Sequence, residues 1–161
     1  MKKNNKKINK TRRQRGYAFE NYIVQKINDT SGWSAKRLGS PSTALPDVMG
    51  INDMYKTVIA IEAKSTVANI VYVPQDQVER CRDWVNQFGV YEVKKVILAF
   101  KFGQTIQKIK DKLVSRKLIY FYKVFPHKTI EPCQVKGDYR GITWRKIDGS
   151  WIPFEMEDFT F

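Results

Sequence analysis

The chain has 161 residues, 42% of them hydrophobic and 13% aromatic, which fits one domain with an ordinary core and excludes a wholly disordered polymer. With 29 Lys plus Arg against 16 Asp plus Glu, the formal net charge is +13, so a polyanionic partner is expected. No apolar run approaches the roughly 18 residues that cross a bilayer, and the N-terminus is basic and polar with no apolar segment behind it, so a cytoplasmic protein without a membrane partner is expected.

Of the first fifteen residues, eight are basic and none acidic, and residues 1–15 read as a disordered basic arm. Lys7, Lys10, Arg12, Arg13 and Arg15 are its candidate phosphate contacts; a solubilising tail or localisation signal is the plainer alternative. From Gly16 the pattern changes. Phe19, Ile23 and Ile27 recur every four residues, with Val24 beside them, and predict an amphipathic helix that stops at Thr30-Ser31-Gly32.

Ser34 to Leu38 reads as a short extended segment, followed by a Gly-, Ser- and Pro-containing loop from Gly39 to Pro46. Val48 to Ile51 and Thr57 to Ala63 are β-rich runs around a turn-like Asn52-Asp53-Met54-Tyr55-Lys56. A hairpin centred on that turn sets Asp47 across from Glu62, Met49 opposite Ala60 and Ile51 opposite Val58, and period-two alternation puts Lys64 on the same face.

Pro74 opens a second helix running from Gln75 to Phe88, where Gly89 ends it. Lys95 to Phe102 reads as a buried strand, Ile106 to Leu118 as a helix, Ile119 to Phe125 as a strand, and Thr143 to Phe154 as a hairpin around Asp148-Gly149-Ser150. The folded core is placed at residues 16–102, with residues 103–161 an extension packed on the same domain. The acidic, aromatic end, Pro153 to Phe161, has three readings: a dock for a protein partner, a segment packed on its own domain, or a shield for its basic cleft.

Cys81 and Cys133 are the only cysteines and His127 the only histidine, so neither a zinc cage nor a His-based nuclease motif can form within one chain. A catalytic metal must then be held by oxygen. Pro46-Asp47, fourteen intervening residues and Glu62-Ala63-Lys64 supply such a set. Carboxylates facing each other across adjacent strands make an open, partly hydrated site for Mg²⁺ or Mn²⁺, with the Ala63 carbonyl as a further ligand. Glu20, off the apolar stripe of its helix, is the extra carboxylate. The ion would activate water for attack on a phosphodiester, with the Lys64 ammonium orienting that water or stabilising developing charge. An isolated Glu-x-Lys is often only a surface charge pair. Here Glu62 ends the apolar run Val58 to Ile61, where a charge is unexpected unless it faces a cleft.

The segments Gly16 to Val24, Lys36 to Ser40, Leu45 to Val48, Ile61 to Lys64 and Tyr72 to Gln77 resemble, in order and spacing, the archaeal Holliday junction resolvases of the PD-(D/E)xK nuclease superfamily. The resemblance runs from about Arg15 to Phe102. It implies an α/β, restriction-endonuclease-like fold: a mixed sheet with the Glu20 helix on one side and the Gln75 helix on the other. It further implies a homodimeric, metal-dependent endonuclease selective for four-way DNA junctions, leaving a 5′-phosphate and a 3′-hydroxyl. Matched residue by residue, its active site is Glu20, Ser40, Asp47, Glu62 and Lys64, with Ser42 able to exchange with Ser40, and Arg37 and Gln77 in DNA-contacting or supporting positions. Another nuclease of this fold acting on ordinary duplex, or a non-catalytic DNA-binding protein that keeps the fold, remains open at this point.

Overall fold

The computed structural model describes residues 2–39, 44–109 and 112–161, and side chains within these except at 2–10, 12, 104–109 and 112–116. Helix α1 (Lys2–Asn28) leads into strands β1 (Trp33–Arg37), β2 (Val48–Asn52), β3 (Thr57–Thr66) and β4 (Ile70–Val73). Helix α2 (Gln75–Asn86) follows, then β5 (Val93–Ile109), β6 (Lys112–Phe125), β7 (Val135–Asp138), β8 (Thr143–Ile147), β9 (Ser150–Pro153) and β10 (Glu157–Asp158).

Six strands form the principal sheet in the order β1-β2-β3-β5-β6-β10. All neighbours in it are antiparallel except β3 and β5, so the sheet is mixed. The β2–β3 hairpin has the expected register, Met49 opposite Ala60 and Ile51 opposite Val58. That register fixes which residues face which helix. Val48, Ile59 and Ile61 turn to α1, where Phe19, Ile23 and Ile27 have no exposed surface. Each such side chain contributes on the order of 1.5–3 kcal/mol. Val58 and Ala60 turn the other way, onto Val78, Cys81, Trp84 and Val85 of α2. The two helices therefore cover opposite faces, as the family resemblance implies.

Four further strands form a second sheet, β4-β7-β8-β9, whose Val73 and Val135 pack into the α2 core. The β8–β9 hairpin turns at Asp148 and Gly149, both with positive φ (47° and 82°), the paired left-handed conformation of a tight two-residue hairpin turn. Among the described residues no helix is long and apolar enough to cross a membrane.

Two stretches differ from the sequence reading. The helix extends back to Lys2, where residues 1–15 are expected to be a disordered arm. Lys, Arg and Gln are strong helix formers, and the single Gly16 costs only about 1 kcal/mol relative to Ala without removing a hydrogen bond. The segment Ile106 to Leu118, read as a helix, is strand up to Ile109 and again from Lys112. Its isoleucines and leucines have helix-like spacing. The pairing that begins at Val96↔Phe125 nevertheless continues outward past Phe102↔Ile119 to Ile109↔Lys112, and the backbone of each strand is satisfied by the other.

The C-terminal segment packs on its own domain. Phe154 and Met156 are buried, Glu157 and Asp158 pair with Val124 and Lys123 of β6, and Phe159 and Phe161 meet edge to face at 5.0 Å, beside Trp33 and Tyr122 respectively. Both cysteines are free. Burial raises the Cys81 thiol pKa well above its ordinary value, which suits an inert core residue.

Candidate active site

A cleft of about 270 Å³ opens where β3 passes between the helices, lined by Glu20, Asp47, Glu62, Lys64, Gln77 and Arg80 together with Tyr17, Gly39, Leu45 and Ala63. Each acidic group arrives on a different element. Glu20 comes from α1, Asp47 from the residue preceding β2, and Glu62 from the middle of β3. Glu62 shares a face with Val58 and Ala60, so it points toward α2 and is only 1% exposed.

A buried carboxylate at that depth needs compensation. Two cations give it: Lys64 Nζ hydrogen-bonds Glu62 Oε1 at 2.6 Å, and Arg80 Nη2 hydrogen-bonds Oε2 at 2.7 Å. Asp47 is held differently. The Ala63 N–H donates to its Oδ2 at 2.8 Å, across the hairpin. The N–H groups of Leu38 and Gly39 donate to the Asp47 carbonyl at 2.9 and 3.3 Å. A Cβ at position 39 would stand 3.2 Å from both Asp47 Cα and Oδ1, so glycine is what lets the loop close on this residue.

Glu20 has the least company. Its Oε2 is buried without a hydrogen bond, and Arg37 Nη1 approaches it at 3.6 Å while the guanidinium lies 4.4 Å over the Tyr17 ring. Burial, then the negative charge of Asp47, raise the Glu20 pKa to about 7. Burial, then the charge of Glu62, raise that of Asp47 to about 6, against the hydrogen bond from Ala63. Neighbouring carboxylates that resist ionisation because they are buried beside one another are groups that a bound cation would favour in their charged form.

That chemistry fits a divalent cation. All the acidic donors are hard oxygens, and besides Glu20 Oε2 the cleft residue Gln77 has a buried Oε1 with no hydrogen-bond donor. Among the described residues, no three His, Cys, Asp or Glu side chains already converge closely enough to enclose an ion. Both Glu62 oxygens accept from protein cations, Oε1 from Lys64 and Oε2 from Arg80, and each keeps a further lone pair.

The structure thus brings Glu20, Asp47, Glu62, Ala63, Lys64 and Gln77 to one cleft, with Arg37 at its edge. Ser40 and its alternative Ser42 lie outside the described residues, as do the side chains of Lys7, Lys10 and Arg12. Arg13 is exposed and Arg15 half-buried, and neither lines the cleft. Sequence reasoning missed Arg80. Its position offered a signal: it lies on α2 one turn beyond Gln77, so the two share a helix face.

The family model for archaeal Holliday junction resolvases (Hjc) matches residues 11–130, about three quarters of the chain. The chain belongs to that family. Among solved structures, that of Archaeoglobus fulgidus Hjc, a Holliday junction resolvase from an archaeal hyperthermophile, superposes with a TM-score of 0.50. It is 22% identical to this chain and covers 76% of it and 83% of its own length, a likeness that bears on the fold. No curated protein matches. As an Hjc family member the protein is a junction-resolving endonuclease with the divalent-metal requirement general to such nucleases. The Hjc model ends before β7, β8 and β9, so most of the second sheet lies beyond the matched region.

Proposed function

We propose that this cleft is the cutting site of a cytoplasmic, homodimeric resolvase that nicks two opposed strands of a four-way DNA junction. The observation that carries the reading is the convergence of Glu20, Asp47 and Glu62 from three elements on one cleft, with the Lys64 ammonium bonded to the innermost of them. Glu20, Asp47 and Glu62, with the Ala63 carbonyl, would hold Mg²⁺ or Mn²⁺, whose charge polarises the scissile phosphate and acidifies water. Lys64 orients the attacking water and offsets negative charge as it builds on the phosphate oxygens. Arg80 fixes the rotamer of Glu62, and Gln77 presents a polar side chain from the facing helix. Arg37, with the basic residues Lys7, Lys10, Arg12, Arg13 and Arg15 of the N-terminal helix, contacts DNA phosphates without reading sequence. In a two-fold dimer one such site per subunit meets two equivalent backbones of a junction.

The test offers the protein labelled four-way junction, flap and plain duplex in parallel with Mg²⁺, and maps nicks strand by strand. Junction should bind most tightly and be cut symmetrically on two opposed strands, while a D47N/E62Q double variant should bind and not cut. Equal affinity for junction and duplex, or single unpaired nicks, would refute the junction reading; cutting by the double variant would refute the site.

A further inference from the structure

The second sheet presents a face that its core-forming role does not explain. Its inner side is apolar, with Val73 and Val135 wholly buried. On the other side the register places Tyr72 of β4 beside Lys136 of β7, Lys136 beside Trp144 of β8, and Lys146 of β8 beside Trp151 of β9. Directly paired residues, and residues two apart on one strand, share a face. Tyr72, Lys136, Trp144, Lys146 and Trp151 therefore form one continuous outer surface.

The side chains bear this out. The Tyr72 and Trp151 rings lie 5.7 Å apart between centroids. The Lys136 ammonium stands 4.9 Å from the Trp144 ring centroid and 4.7 Å from that of Trp151, and Lys146 lies 5.9 Å from Trp151. None of the three aromatic residues is buried, and Tyr72 is 50% exposed. Tyr72 is exposed and Trp144 and Trp151 are half-buried, so each ring keeps surface open to solvent on this face.

We infer that this outer face of the second sheet is an accessory binding site for unpaired DNA, taking bases on the rings of Tyr72, Trp144 and Trp151 and phosphates on Lys136 and Lys146. Ring faces accept any base by stacking, and ammonium groups beside them meet the backbone that every base carries. Charge complementarity selects a polyanion, and the rings select one with exposed π-faces over a fully stacked duplex. The face lies on strands largely beyond the Hjc-matched region and shares no residue with the Glu62 cleft. It is a separate site, independent of the cutting assignment.

The test uses the full-length protein and a labelled oligothymidylate of roughly 16 nucleotides, following anisotropy and intrinsic tryptophan fluorescence. Binding should quench tryptophan emission. Trp151→Ala should weaken binding about five-fold or more and remove part of the quench, since one stacked base is worth at least that factor. A K136Q/K146Q variant, which removes both ammonium groups from this face and keeps uncharged side chains of similar reach, should weaken binding and lower its salt dependence with an unchanged thermal unfolding profile. Single-turnover cleavage of a bound junction should be unchanged in both variants, which separates this site from the cutting one. Three outcomes overturn the inference: no binding of the oligothymidylate, binding unaffected by either variant, or binding that inorganic polyphosphate displaces completely and that never quenches tryptophan.

Discussion

Replacing Asp47 by Asn isolates the electrostatic strain of the cleft. In the metal-free protein the Asp47 carboxyl has its pKa raised from 3.8 to about 6, chiefly by burial and then by Glu62. A raised folded-state pKa means that the native state holds its proton more tightly than the unfolded chain does. Below the unfolded value both states are protonated and stability is unaffected. As pH rises from about 4 through 6 the unfolded chain ionises first, and native stability falls. About two pH units at 1.36 kcal/mol each give a penalty of about 3 kcal/mol by neutral pH, an upper figure because the cleft residues titrate together. Asn carries no charge and its amide oxygen still accepts the Ala63 N–H. With a chelator present at pH 8, D47N should therefore be more stable than the parent by up to about 3 kcal/mol, or very roughly 6–12 °C in Tm for a chain of this length. At pH 4 the advantage should vanish. Mg²⁺ should stabilise the parent through binding to the native state and leave D47N nearly unmoved. Thermal unfolding across pH, with and without Mg²⁺, measures all of this. A variant less stable than the parent at pH 8, or an advantage independent of pH, would refute the reasoning.

Arg80→Gln removes one of the two cations on the buried Glu62 carboxylate. It should lower unfolding free energy by about 2 kcal/mol in urea titrations and slow single-turnover cleavage, with Arg80→Lys restoring part of both. Deleting Met1 to Lys10 removes five lysines. Affinity should fall by a similar factor on junction and duplex, and the slope of binding against salt should shrink by about 0.9 for each DNA phosphate that these lysines neutralise; an unchanged slope would show that this segment does not touch DNA.

Much of the fold was legible because local signals and long-range packing agree. Phe19, Ile23 and Ile27 have helical spacing and are all wholly buried on one sheet face. The turn between β2 and β3 fixed the register that puts Asp47 near Glu62, so two-residue alternation alone brought most of the acidic cluster together. Legibility failed where the decisive partner is distant in sequence. Val135 to Asp138 has no strand signal strong enough to stand alone, and it becomes a strand by pairing with β4, some sixty residues earlier. The residues after Phe102 have helix-like spacing, and only continued pairing with β6 makes them strand. Arg80 shows the same limit at the site. Its spacing from Gln77 puts it on the same helix face, but its partner Glu62 lies eighteen residues away on another element, and only the folded sheet brings the two together.

The ionic arrangement of the cleft gives an argument about how it works. Glu62 is nearly inaccessible and carries a cation on each oxygen, while Glu20 and Asp47 have raised pKa values and Glu20 Oε2 has no hydrogen bond. Without an added cation the innermost carboxylate is neutralised by the protein's own side chains, and the outer two are neutralised in part by protons. Those protons are the easiest charge to displace. A divalent cation entering the cleft therefore exchanges first with protons at Glu20 and Asp47, and its affinity must fall as pH drops through about 7 to 6. Lys64 and Arg80 keep Glu62 in place throughout. Removing either cation should loosen the inner carboxylate before it disturbs the outer pair. A Mg²⁺ affinity for the parent that does not change between pH 8 and pH 6 would contradict this order of events.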